Sequence, residues 1–150
     1  MSFEERLTWV NAVVSVVVTA VYCAVVFGRL GNMPVADVAY QWAMLISILA
    51  LVVLTIIGAI LMAVGTAVSA EITGNGSVDD IDRKDERDVQ ISHRGMRTGY
   101  VVSSVGGVLA LGLAMLEYDY FWIANALFLS FVVAGLVTSA VKLMAYRRGF

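Results

Sequence analysis

The 150-residue sequence contains a single cysteine, a single proline and a single histidine. Because Cys23 is alone, a disulfide bond within the chain is excluded, as is a metal centre built from paired thiolates. Pro34 lies between apolar stretches, so no apolar stretch is kinked by a proline. His93 has no neighbouring residues that would form a Ser-His-Asp or Cys-His arrangement. We therefore predict no catalytic residues, no cofactor and no metal, and the sequence does not indicate an enzyme.

Charge is also missing from four long stretches, which cover residues 9–27, 38–70, 98–116 and 120–141. Hydrophobic residues make up 60% of the chain, against roughly 45–50% in soluble domains. A helix of about 20 apolar residues is long enough to cross a bilayer. We predict an all-α polytopic membrane protein with one domain over residues 1–150 and two helical hairpins, its transmembrane helices lying at about 9–27, 42–64, 98–116 and 120–141.

The positive charge indicates an orientation. Nine of the ten Lys and Arg residues lie in the N-terminus, in residues 71–97 or in the C-terminus, and only Arg29 lies in a link between spans on the other side. Cytoplasmic segments carry an excess of Lys and Arg. We therefore expect a multi-pass protein of the cell (inner) membrane, with both termini and the loop 71–97 in the cytoplasm and no nucleic-acid partner.

The residue pattern of the loop, from Asp79 to Arg97, predicts a cytoplasmic amphipathic helix. This helix either ends or bends near Gly95 or runs on into the third span. Asp85 falls within its apolar stripe, where a carboxylate needs a basic partner. We interpret the segment as a candidate interaction site for a cytoplasmic protein, with a solvated salt-bridge network as the alternative. The site residues are Asp85, Glu86, Arg87, Asp88, His93 and Arg94.

The run Asp85-Glu86-Arg87-Asp88, followed by Ile91, resembles the Asp-Glu-Arg-Asp signature of a family of small uncharacterised prokaryotic membrane proteins. In that family the charged segment stands just before a transmembrane helix. The resemblance covers about residues 82–104. It implies a four-helix membrane architecture with the signature before the third helix, and it implies no activity.

The same loop has features of three kinds of ligand site. Residues 71–82 have the outline of a calcium loop but lack its bidentate Glu. His93 could bind a metal together with Asp85, Glu86 or Asp88. The basic face could bind anionic lipid headgroups, although seven acidic residues dilute it. An ordinary solvated face is the simpler interpretation of that basic face.

Small and weakly polar residues recur along the spans at helical spacing, which is typical of helix contacts in lipid. In the third span Ser103, Gly107 and Ala110, with Gly106 and Ala114, make the smallest face. Trp9 and Tyr22 suit the two membrane interfaces of the first span. The candidate packing stripes are Asn11, Ser15 and Thr19 in the first span and Ser130, Ala134 and Thr138 in the fourth.

These features favour a homo-oligomeric interaction or regulatory protein in the lipid bilayer that presents a charged cytoplasmic helix. The alternative is a small oligomeric channel or transporter whose polar stripes line the path. A membrane enzyme that works at the interface with Asp85, Glu86, Asp88 and His93 is a third hypothesis. Spans without charge argue against a proton-coupled transporter.

Overall fold

The computed structural model describes residues 3–30, 33–73 and 86–148, and all of its long elements are helices. Four of them are long and apolar enough to cross a membrane, which confirms the predicted all-α class and the four apolar helices. A short 3-10 helix, Val35–Asp37, lies in the first connection. The long helices are α1 (Phe3–Phe27), α2 (Gln41–Thr73), α3 (Glu86–Met115) and α4 (Tyr120–Arg148).

Each long helix continues beyond its uncharged stretch at one end, into neighbouring polar residues. In α1 the first turn contains Glu4 and Glu5, whose charges suit the positive end of the helix dipole. The hydroxyl group of Thr8 donates a hydrogen bond of 2.8 Å to the carbonyl oxygen of Glu4. α2 has 33 residues, about 50 Å at the usual rise, so it is longer than the bilayer core of about 30 Å.

The third helix runs without a break through Gly95. The segment 86–97 is therefore the first part of the same helix that contains the third apolar stretch. The remainder of the predicted amphipathic helix, residues 79–85, lies outside the described residues, and Asp85 lies there with it.

The four helices pack unequally. α4 is the centre of the bundle: it packs along α3 and also contacts α1, and α1 in turn packs against α2. Only 6% of the most apolar window of α2 is buried, against 17% in each of the other three helices. α2 is thus held to the described part of the chain mainly through α1.

The best-packed core lies near the ends of α1 and α2 that the link 28–40 joins. Tyr22 and Val26 of α1 pack with Val38 of the link and with Phe121 and Phe128 of α4. The rings of Tyr22 and Phe128 lie 4.7 Å apart between centroids, and those of Tyr40 and Phe121 lie 5.2 Å apart in an edge-to-face arrangement. Aromatic pairs of this kind add about 0.5–1.5 kcal/mol beyond their buried area in water-soluble proteins.

Candidate functional site

The starts of α1 and α3 and the end of α4 lie together, and we call this region the charged end. The guanidinium carbon of Arg147 lies 5.8 Å from the ring centroid of Trp9, which joins α4 to α1 by a cation–π contact. Lys142 of α4 packs close to Gly95 of α3: a β-carbon built on Gly95 would lie 2.9 Å from Cγ of Lys142. Basic residues of α4 therefore lie beside the first parts of α1 and α3.

The first of two clefts at the charged end lies between α1 and α3, and we call it the acidic cleft. It has a volume of about 200 Å³. Glu4 from α1 faces Asp88 and His93 from α3 across it, and apolar side chains close one side. The full lining is Glu4, Asp88, Val89, Ser92, His93 and Met96.

The second, which we call the basic cleft, lies between α3 and α4 and has a volume of about 320 Å³. Arg94 and Arg97 are exposed at its rim. Its floor is apolar, because Ile91 and Ala145 are only 4% and 8% exposed. The full lining is Gln90, Ile91, His93, Arg94, Arg97 and Ala145.

The predicted interaction site is divided between these two clefts. Asp88 lines the acidic cleft, Arg94 lines the basic cleft, and His93 lines both. Glu86 and Arg87 belong to the first turn of α3, and Asp85 lies outside the described residues. Asp88 and Arg94 therefore line clefts against two different neighbours, α1 and α4.

Neither cleft has the geometry of a metal centre. Within residues 3–30, 33–73 and 86–148, no three His, Cys, Asp or Glu side chains are grouped so that they could hold a metal ion. His93, Asp88 and Glu4 line one cleft without forming such a group. Most of the residues with the outline of a calcium loop, 74–82, lie outside the described part of the chain.

The stripe on α4 faces α3. A β-carbon on Gly106 would collide with Ser130, and one on Gly99 would collide with Thr138 and lie 3.1 Å from the carbonyl oxygen of Ala134. The hydroxyl groups of Ser130 and Thr138 donate hydrogen bonds of 2.8 Å to backbone carbonyl oxygens of their own helix. The two backbones can approach closely because these α3 positions carry no side chain.

The predicted small face of α3 coincides only in part with the contact face of the structure: Gly106 and Ala110 belong to that face, and Gly107 does not. A β-carbon on Gly107 would have nothing within 4 Å. Ala110 is 3% exposed and buried as expected. The contact face also includes Gly95 and Gly99, so it begins within the charged segment that was predicted to belong to the loop.

The stripe on α1 lies behind an apolar groove between α2 and α4, which we call the membrane groove. Ser15 lines this groove, whose volume is about 520 Å³. Asn11 Oδ1 and Thr19 Oγ1 are buried and have no hydrogen-bond partner within the described structure. The groove lining is Ser15, Met44, Ile48, Leu51, Val52, Thr55, Ala124, Leu127, Phe128, Phe131, Val132 and Gly135.

One polar contact between helices was missed by sequence reasoning. Tyr22, which we expected at the membrane–water interface, is only 2% exposed. Its hydroxyl group donates a hydrogen bond of 2.7 Å to Asn125 Oδ1. Asn125 Nδ2 in turn donates to the carbonyl oxygen of Phe121 at 2.8 Å. The available signal was Asn125 itself, because an amide within an apolar span needs a partner.

Comparison with protein-family models, with curated proteins and with solved structures gave no match to the chain. The class of the protein is given by its fold: four helices are long and apolar enough to cross a membrane, which fits a multi-pass helical membrane protein. The resemblance carried by Glu86, Arg87 and Asp88 stays a prediction.

Proposed function

We propose that the chain is a homo-oligomeric interaction or regulatory protein of the cell (inner) membrane. In this proposal the two helical hairpins α1–α2 and α3–α4 span the bilayer, and both termini and residues 71–97 face the cytoplasm. The beginning of α3 is presented to a cytoplasmic protein partner. Membership of the family with the Asp-Glu-Arg-Asp signature is part of the same proposal.

The exposure of α2 is the main observation in support of a homo-oligomer. This helix packs mainly on α1, and a concave membrane groove remains between α2 and α4. In lipid, helix association depends on van der Waals packing rather than on removal of apolar surface from water. A helix from a second copy, seated against α2 and the groove, would supply such packing to Val52 and Phe131, which are 52% and 62% exposed.

The layout of charge supports the orientation. Arg147 and Lys142 at the end of α4 lie beside Trp9 of α1 and Gly95 of α3. The positive residues of three helices are therefore concentrated at one end of the bundle, which the bias of Lys and Arg towards the cytoplasm assigns to that side.

A bulky substitution in the groove tests the oligomer. The full chain, labelled with one fluorophore per copy and diluted in lipid vesicles, is counted by single-molecule photobleaching. We expect two or more steps per particle for the unchanged chain and mainly one step for Val52→Trp. Val108→Trp is the matched control, since Val108 of α3 is 72% exposed and lies outside the groove, and it should not change the count. Single steps from the unchanged chain at high protein density would refute the oligomer.

A small oligomeric channel or transporter is the second candidate, and a specific observation favours it. The unpartnered oxygen atoms of Asn11 and Thr19 lie one turn on either side of Ser15, which lines the membrane groove. Water in an oligomer could satisfy those oxygen atoms. Ion or solute flux into vesicles that contain the chain, abolished by Ser15→Leu and kept by Val108→Leu, would favour this candidate over the first.

A further inference from the structure

We propose that the basic cleft binds the phosphate group of an anionic phospholipid headgroup. The cleft lies between α3 and α4 at the charged end, and it combines two exposed arginines with an apolar floor. This is a ligand site within the membrane interface, separate from the oligomer contact at α2.

The arginines suit a phosphate. Arg94 and Arg97 are spaced i, i+3 on α3, so their side chains leave the same face of the helix with about 5–6 Å between their β-carbons. Gln90 lies one turn before Arg94 and lines the same cleft, where its amide can donate a further hydrogen bond. Guanidinium groups bind phosphate through paired N–H donors, and such charge-assisted bonds are about twice as strong as neutral ones.

The position of the cleft along α3 suits a lipid. Arg97 is the last charged residue before the uncharged stretch 98–116. The exposed ring of Tyr100 lies one turn further along, and aromatic rings of this kind are enriched at headgroup level. An acyl chain can continue from the cleft along Val101, which lies one turn beyond Arg97 and is 61% exposed, whereas a free phosphate ion makes no such contact.

The fold also places Asp88 and the two arginines in different clefts. Glu4 and Asp88 lie in the acidic cleft on the α1 side of α3. Among the described residues, no acidic side chain lines the basic cleft. A negative headgroup on the α4 side of α3 therefore meets arginine at the cleft rim.

The test is lipid binding by the purified full chain in mild detergent micelles, measured by native mass spectrometry. The probes are phosphatidylglycerol and phosphatidylcholine with the same acyl chains. We expect phosphatidylglycerol to bind at least tenfold more tightly, and Arg97→Gln to weaken it about fivefold, as one lost basic residue near a membrane surface predicts. Arg97→Lys should keep most of the affinity. The substitution is made at Arg97 because Arg94 already interacts with another group of the protein.

Arg6→Gln is the matched control, since it removes one exposed positive charge from α1, away from the basic cleft. It should change the affinity less than twofold. Equal binding of the two lipids, or an equal effect of Arg6→Gln and Arg97→Gln, would overturn the proposal. If Arg97→Gln loses helix content, the proposal is tested by the unchanged chain and Arg97→Lys alone: both should bind phosphatidylglycerol more tightly than phosphatidylcholine.

A soluble anion is distinguished by competition. Inorganic phosphate at millimolar concentration should leave bound phosphatidylglycerol in place, because it has no acyl chain to pack along α3. Displacement of the lipid at that concentration would mean a site for a free phosphate and would overturn the lipid proposal. Detergent micelles give access to both ends of the protein, so the result is independent of the orientation and oligomeric state proposed above.

Discussion

The hydroxyl group of Tyr22 donates a hydrogen bond of 2.7 Å to Asn125 Oδ1, which joins α1 to α4 across 103 positions of the sequence. The same Tyr22 ring packs against Phe128, one turn beyond Asn125 along α4. A polar contact and an aromatic contact therefore fix one register between the two helices. Because Asn125 is only 2% exposed, its amide has no access to solvent as a substitute partner.

Removal of that hydroxyl group should destabilise the bundle modestly. Hydrogen bonds between membrane helices contribute about 0.6 kcal/mol on average and at most about 1.7 kcal/mol, so we expect Tyr22→Phe to cost about 1 kcal/mol. The measurement is the free energy of detergent-induced unfolding. Tyr120→Phe is the control, because Tyr120 is 85% exposed. In the double variant Tyr22→Phe with Asn125→Leu the two losses should not add, and additive losses would mean that the bond contributes nothing.

Two adjacent glycines of α3 should respond in opposite ways to alanine. A β-carbon on Gly106 would collide with Ser130 of α4, whereas one on Gly107 would have nothing within 4 Å. We expect Gly106→Ala to lower the free energy of unfolding by about 1–3 kcal/mol through overpacking. Gly107→Ala should leave it unchanged or raise it by up to about 1 kcal/mol, because alanine favours the helix. Equal effects of the two changes would contradict the described contact between α3 and α4.

Glycine at position 117 should stabilise the turn between α3 and α4. Glu117 has a φ of 56°, in the left-handed region, and the amide of Tyr118 donates back to the carbonyl oxygen of Leu113 at 3.1 Å. A residue with a β-carbon costs about 1–2 kcal/mol there relative to glycine. We expect Glu117→Gly to raise the free energy of unfolding by about 1 kcal/mol. Glu117→Ala removes the carboxylate but keeps the β-carbon, so a similar gain from alanine would assign the effect to charge instead.

The sequence was sufficient for the four helices because their signal is long and local. Each uncharged stretch meets the length that a bilayer requires, and the structure has an apolar helix at each. Helix ends were less predictable: α3 begins at Glu86, because helix geometry continues past the charges that mark the end of an apolar stretch. The helix was expected to end or bend near Gly95 or to run on into the third span; it runs on, and Gly95 makes a close contact with Lys142.

The arrangement around the candidate site depended on contacts between helices, which no local pattern contains. A helical wheel places Asp88 and Arg94 on different sides of α3, but it does not identify Glu4 and Ala145 as their respective neighbours. The pairing of Tyr22 with Asn125 likewise required the packing of α1 on α4. The position of Gly107 shows how sensitive such a face is, since one residue, about 100° of rotation, separates contact from exposure.

In the proposed orientation, the charged end faces the cytoplasm while the two short connections face the other side. Single cysteines at Ala36 and Gln90, both exposed, are introduced in a Cys23→Ser background and treated with a membrane-impermeant maleimide on intact cells. We predict that Ala36→Cys is labelled in intact cells and that Gln90→Cys is labelled only after the membrane is permeabilised. Labelling of both positions from the outside would contradict the four-span arrangement, and labelling of Gln90→Cys alone would contradict the orientation.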